Sequence, residues 1–244
     1  MRYVLISIMS LFLTSQLVMA EQAKKAGDSD IQELQQALLT NMPQAAGAVI
    51  KATPIEGIYE VMSGPQILYM TKDARFVIDG DMFDLQKRVN LTEDTRSIIR
   101  KNEVEKLGEA NMLVYTPKGE VKHTITVFTD IYCPYCRRLH EEMNDYMAGG
   151  VKVRYVFLPF KGKRSYDTSV SVWCAKNPQQ ALDKAKAGED VEEKTCDNPI
   201  DQHRAMAQTI GIRGTPAIMY ENGLLNPGYA PANKVIEQME SLGL

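Results

Sequence analysis

Four cysteines occur in the 244-residue chain, and two of them, Cys133 and Cys136, enclose only Pro134 and Tyr135. Two thiols at this spacing can close and reopen one disulfide, which is the requirement for thiol–disulfide exchange. The tetrapeptide follows a strand-like run (TITVFTD) and opens a helix-like one (CRRLHEEMNDYM). A cysteine at a helix N-terminus meets unpaired backbone N–H groups and the positive end of the helix dipole. Both stabilise a thiolate. Pro134 suits the first turn, where its missing N–H is not needed. Cys133, at the exposed mouth of the helix, is therefore the candidate attacking thiol. Cys136, one turn in, is the candidate resolving thiol. Arg137 and Arg138 add positive charge near both sulfurs. At a helix start that charge opposes the dipole, which fits a functional role or a solvated face equally well.

Other chemistries fit the pair less well. Cys133, Cys136 and His140 supply three zinc ligands, but no second cysteine or histidine pair completes a tetrahedral set. Covalent haem attachment needs histidine directly after the second cysteine, and Arg137 stands there. A permanently oxidised structural loop is the remaining alternative. His140 reads as a surface or packing residue rather than a proton shuttle. No metal and no cofactor is expected.

Cys174 lies in an apolar patch (VSVWCA), and Cys196 lies beside Asp197-Asn198-Pro199. In an oxidising compartment they read as a structural disulfide closing a loop of roughly twenty residues, worth ~3 kcal/mol. A second redox pair is the alternative. Gly214-Thr215-Pro216-Ala217 precedes an Ile218-Met219-Tyr220 strand. Proline cannot donate to a sheet ladder. A cis peptide at Thr215-Pro216 is one explanation, and an ordinary trans proline at a strand start is the other. Either way the main chain of Thr215 is free to pair with an extended substrate.

The compartment is suggested by the first twenty residues. Arg2 is followed by an apolar run to about Leu13, and Val18-Met19-Ala20 precedes Glu21. This is the layout of a signal peptide cleaved after Ala20. The run is short for a membrane span. Without Arg2 the chain carries 27 basic against 31 acidic residues, a net charge of −4. Nucleic-acid binding calls for a basic excess and is not expected.

The rest of the chain must position these groups. Residues 31–39 have helical spacing, and Asn41 to Pro43 should stop that helix. Ala48–Ala52, Ile58–Met62, Ile67–Met70 and Arg75–Ile78 read as strands separated by turn signals, with Asp79-Gly80 as a hairpin turn. The region lacks cysteine and histidine and is small to stand alone, so it reads as an oligomerisation domain. Residues 90–110 read as a polar helix bridging through solvent, with Asn90 and Glu93 as a capping pair. Beyond Asn111 the rhythm is α/β. Strands are expected over Met112–Tyr115, Thr124–Phe128 and Val151–Leu158. A helix is expected over Arg137–Met147, and a long, mostly helical stretch over Arg164–Ala207. A hairpin at residues 217–225 and a closing helix over Asn233–Leu242 complete the reading.

Cys-x-x-Cys between strand and helix, with Thr-Pro before a later strand, resembles the thioredoxin fold. The stretches ITVFTDIYCPYC, VRYVFLPF, VWCAK, GTPAIMYENG and NPGY are similar to the pattern of the periplasmic disulfide isomerase family of DsbC and DsbG. The likeness covers essentially the whole mature chain and is strongest from Lys122 to Tyr229. It implies an α+β protein: a signal peptide over 1–20, a small β-rich dimerisation domain over 21–89, a linker helix over 90–110, and a thioredoxin-like catalytic domain with a helical insertion over 111–244. It also implies Cys133 as nucleophile, Cys136 as resolving cysteine, Cys174–Cys196 as a structural disulfide, and a cis Pro216 after Thr215 at the substrate site. Further implications are a V-shaped homodimer, mis-oxidised or misfolded secreted proteins as substrates, chaperone activity, and a membrane thiol reductase of the DsbD type as electron donor. The dipeptide that tunes redox poise, Pro134-Tyr135, departs from the Gly-Tyr of DsbC and is more like DsbG.

Overall fold

A computed structural model describes residues 28–244. The expected leader over residues 1–20 and its cleavage after Ala20 lie outside the described residues. Contacts divide the chain into two units between Asp81 and Met82.

In the first unit, helix α1 (28–41) leads into a four-stranded antiparallel meander. Its strands are β1 (Val49–Ala52), β2 (Ile58–Ser63), β3 (Gln66–Thr71) and β4 (Val77–Ile78). Ser63 pairs with Gln66 across a two-residue loop in which Gly64 takes φ 58°. Leu34 and Leu38 of α1 pack on Tyr59, Val61, Leu68 and Met70. The strands fall close to their expected positions, although β4 keeps only the last two of its four residues.

The Asp79-Gly80 turn does not form a hairpin. The hairpin lies one step later, between β5 (Phe83–Asp84) and β6 (Val89–Asn90), in the second unit. Asp84 is the physical reason. Its Oδ1 accepts from the N–H of Gln86 (3.0 Å) and of Lys87 (2.9 Å), closing the turn locally.

Helix α2 (Leu91–Leu107) begins as expected, with Asn90 Oδ1 accepting from Glu93 N at 3.1 Å. It does not bridge through solvent. Thr92, Thr95, Ser97, Arg100 and Val104 are buried, so the docked face is mostly polar and escapes an apolar-periodicity search. Arg100 donates to the carboxylate of Glu93 and to the carbonyl of Gly223. Gly223 has φ 88°, and a Cβ there would collide with the Ser97 carbonyl. This is why the turn facing α2 carries glycine.

The remaining elements form three layers around a five-stranded sheet of order β11-β10-β8-β9-β7. The strands are β7 (Leu113–Tyr115), β8 (His123–Thr129), β9 (Val151–Phe157), β10 (Ala217–Tyr220) and β11 (Leu225–Pro227). Central β8 runs parallel to β9 and antiparallel to β10. Alternate residues face opposite layers. Ile125 and Val127 join one core with Leu139, Tyr146, Leu182 and Val235, while Phe128 joins another with Val104, Val156, Met206 and Met219.

The helix expected over Arg137–Met147 is split into α3 (Pro134–Glu141) and α4 (Met143–Ala148). Glu142 at the break accepts from the N–H of Ala232 (2.6 Å) and from the Tyr229 hydroxyl, tying it to the start of α8 (Ala232–Ser241). The helical stretch expected over Arg164–Ala207 resolves into α5 (Lys163–Trp173), α6 (Pro178–Ala187) and α7 (Ile200–Thr209). Gly188 in the left-handed conformation ends α6, and residues 188–199 are not helical.

His203 of α7 is fully buried. Its Nδ1 accepts from Phe157 N (3.1 Å), and its Nε2 donates to Asn111 O (2.6 Å). Burial pushes its pKa down to about 4. Protonation would place a hydrogen on Nδ1 against the Phe157 N–H. The stability this neutral histidine contributes is therefore complete above the unfolded value of about 6.5 and is lost as pH falls towards 4, by up to ~3 kcal/mol. Urea unfolding across that window should show a falling midpoint. In His203→Gln the slope should flatten, whatever the variant's baseline stability.

Candidate active site

The site is built at the C-terminal end of β8. The next residue, Asp130, has no solvent exposure. Its Oδ1 accepts from Tyr132 N (2.7 Å), and its Oδ2 from Lys161 N (2.9 Å). One carboxylate thus shapes the turn into α3 and ties it to the loop after β9. Cys133 N donates to Asp130 O at 3.3 Å. Cys133 is the N-cap of α3 in an extended conformation, Pro134 fills the first helical position, and Arg137 N donates to Cys133 O.

Cys133 and Cys136 are free thiols and both are buried, with residue exposures of 6% and 1%. The exposed helix mouth expected for Cys133 is thus corrected: neighbouring chain covers most of it. Part of that cover is Thr215, whose carbonyl oxygen accepts from Cys133 Sγ at 3.3 Å. The Thr215–Pro216 peptide is cis. Antiparallel pairing of β10 with β8 sets Ala217 opposite Phe128, which brings residues 215–216 to the level of the turn. Pro134 and Tyr135 remain exposed.

The two thiols have unlike surroundings. Burial pushes the Cys133 thiol up, but the Cys136 N–H and side chain, the Thr215 side chain and the Tyr135 N–H more than reverse it, so its pKa is lowered. For Cys136 burial dominates and the pKa is raised, although the Lys186 ammonium, the Asp130 backbone and the Thr129 hydroxyl pull the other way. A lowered value favours Cys133 as the thiolate at neutral pH.

Aromatic and cationic groups line the rim. Tyr135 stacks on Tyr229 with ring centroids 6.3 Å apart. Arg138 lies over Tyr229, and Arg137 and Arg164 lie over Tyr132. Arg137 also donates to Ile131 O. Under the rim, His140 bonds Tyr155 through Nδ1 and Asp183 through Nε2, both at 3.0 Å. The histidine is a buried packing residue whose nitrogens are engaged away from the thiols. Cys174 and Cys196 are joined in a disulfide that ties the end of α5 to the non-helical segment before α7.

The chain matches two family models: the N-terminal domain of disulfide bond isomerase proteins over residues 20–93, and a thioredoxin-like domain over residues 111–243. It is 42% identical to the thiol:disulfide interchange protein DsbC of Salmonella typhimurium, over 74% of this chain and 75% of the relative. It is 37% identical to DsbC of Escherichia coli, over 78% and 80%.

The chain belongs to the DsbC family.

It is accordingly a thiol:disulfide interchange enzyme with a thioredoxin-like domain. A linker-deleted variant of Proteus mirabilis ScsC has the same fold, at 19% identity and a TM-score of 0.51, covering 63% of this chain and 88% of that one.

Within this DsbC-family site, two buried polar groups escaped sequence reasoning. Asp130 was legible only as the end of a strand. Lys186 lies fifty residues beyond the motif on α6, where it reads as one more charge on a polar helix. Its Nζ in fact donates to Thr129 Oγ1 (2.7 Å) and Asp130 O (2.8 Å), and its charge is felt by both thiols.

Alkylation of the reduced protein by iodoacetamide should report the difference between the thiols. Cys133 should react first, with a pH midpoint below the ordinary cysteine value of about 8.5. Peptide mapping after brief labelling identifies the modified residue.

Proposed function

We propose that this chain is a periplasmic protein disulfide isomerase and reductase that rearranges incorrect disulfides in secreted proteins. The observation carrying the proposal is the pairing of Cys133, with its lowered pKa at the start of α3, with the Thr215 carbonyl at 3.3 Å. The Cys133 thiolate attacks one sulfur of a substrate disulfide. A mixed disulfide forms and the other substrate sulfur leaves as a thiolate. If a different substrate thiol then displaces Cys133, the substrate disulfide has been isomerised. If Cys136 displaces it, the substrate is reduced and the enzyme holds a Cys133–Cys136 disulfide. Thr215 and Pro216 hold the extended substrate beside the sulfur. Thiols carry all the electrons, so no cofactor is needed.

Other parts of the reading follow from family membership and sequence. The signal-peptide layout of residues 1–20 supports export to the periplasm. Among the described residues, no helix is long and apolar enough to cross a membrane. The match of residues 20–93 to the isomerase N-terminal domain supports a homodimer with chaperone activity. An enzyme that must rest reduced in an oxidising compartment needs an electron source, and a membrane thiol reductase of the DsbD type fits. Cys174–Cys196 acts as a structural staple.

Pro134-Tyr135 favours a second reading, reduction of protein sulfenic acids. Cys133 would attack the sulfenic sulfur, the hydroxyl would leave as water, and Cys136 would resolve the mixed disulfide. A third reading, a dimeric holdase with an incidental redox site, predicts that Cys133 is dispensable.

Mature protein from Glu21 onward should restore activity to a scrambled, fully oxidised multi-disulfide enzyme in glutathione buffer. Cys133→Ser should slow recovery at least about tenfold, whereas Cys136→Ser should retain isomerisation and lose net reduction. Equal recovery with wild type and Cys133→Ser would overturn the proposal. Failure of folded wild type on this substrate, with turnover of a sulfenylated one, would transfer the assignment to the second reading.

A further inference from the structure

Lys186 is the only buried lysine among the described residues. A buried ammonium requires compensation. Its two hydrogen-bond acceptors, Thr129 Oγ1 and the Asp130 carbonyl, are both neutral. The Asp130 carboxylate is already engaged by two backbone N–H groups. The charged and titratable groups felt at Lys186 are Cys136 and Arg137 of α3, its N-cap Cys133, and Asp130 beyond β8. Lys186 in turn acts on His140 of α3. Three residues back on α6, Asp183 is held by His140 and by Tyr115 of β7. Of the groups whose negative charge supports the ammonium, the Cys136 thiolate acts most strongly, ahead of the Asp130 carboxylate and the Cys133 thiolate.

We propose that Lys186 is the positioning residue for the resolving step, exchanging a proton with the Cys136 thiol and so setting the balance between reduction and isomerisation. The inference rests on Cys133 as nucleophile and Cys136 as resolving thiol. In the mixed disulfide, the Cys136 proton passes to the Lys186 amine, leaving a thiolate beside an ammonium. The thiolate forms the Cys133–Cys136 bond as the bond from Cys133 to the substrate sulfur breaks. The substrate leaves with the electron pair and takes a proton from water. The ammonium, now without its thiolate, returns its proton to water. Two electrons have passed from the cysteine pair to the substrate. The titration tendencies agree: burial brings Lys186 down to about 8 while Cys136, Asp130 and Cys133, in that order, hold it up, and Lys186 in turn draws Cys136 down against burial.

The test uses the reduced mature chain and one equivalent of dithionitrobenzoate. Attack by Cys133 leaves a thionitrobenzoate adduct, and its release by Cys136 is followed optically from acid to alkaline pH. Lys186→Met and Lys186→Gln should each slow release about tenfold or more at neutral pH and move its midpoint upward. Lys186→Gln retains a donor for Thr129 and Asp130, so a purely structural role would leave its release rate near wild type. Carboxymethylation of Cys133 in a Cys136→Ser background should respond less than release does.

Wild-type protein carrying 13C-labelled lysine gives a readout free of folding effects. The Lys186 resonance should titrate at different midpoints in the dithiol and disulfide forms. Release within about twofold of wild type in the folded variants, or identical Lys186 titration in both redox forms, overturns the Lys186 inference alone. An adduct mapped by mass spectrometry to Cys136 instead of Cys133 overturns the nucleophile assignment, and the inference falls with it.

Discussion

The carboxylate of Asp130 has no solvent exposure and accepts two backbone N–H groups from different loops, Tyr132 after β8 and Lys161 after β9. A buried carboxylate left without such donors would be strongly unfavourable, so the two loops are bound to one geometry. That geometry sets Cys133 at the N-cap of α3, where the Tyr135 and Cys136 N–H groups favour its thiolate. The backbone carbonyl of the same residue receives Lys186 from α6. The helix start, the sulfur and the buried lysine therefore share one anchoring residue.

The division of labour between the cysteines follows from depth along α3. Cys133 caps the helix, where amide donors compete with the cost of burial and win. Cys136 sits one turn further in, where burial wins and the lysine only partly offsets it. Identical side chains three residues apart are thereby given different acidities by the same helix. Residues 215–216 complete the contrast, because they reach Cys133 and leave Cys136 to the interior.

The helical insertion contributes more than a staple. Its middle helix, α6, presents Asp183 and Lys186 one turn apart towards His140 and the thiol pair. Residues 188–199 run without helical hydrogen bonding and are tied back to α5 through Cys174–Cys196. The disulfide thus closes the loop between α5 and α7 that contains the buried lysine.

Local chemistry in the sequence determined much of this protein. Cys-Pro-Tyr-Cys between an apolar run and a helix former already specifies a strand, a tight turn and a helix N-cap, because each preference is set by neighbouring residues. The Asn90–Glu93 cap was legible for the same reason. Periodicity did not reveal the docking of α2, since its buried face is made of Thr, Ser and Arg held by hydrogen bonds rather than by apolar burial. The Asp-Gly turn signal placed a hairpin at Asp79-Gly80 because the competing Asp84 turn carries no glycine signal. Only the tertiary structure decided that Lys186 and Asp130 lie beneath the thiols and that Thr215 covers Cys133. Those contacts span dozens of residues and depend on the order β11-β10-β8-β9-β7, in which burial and charge at the sulfurs come from elements far away in the chain.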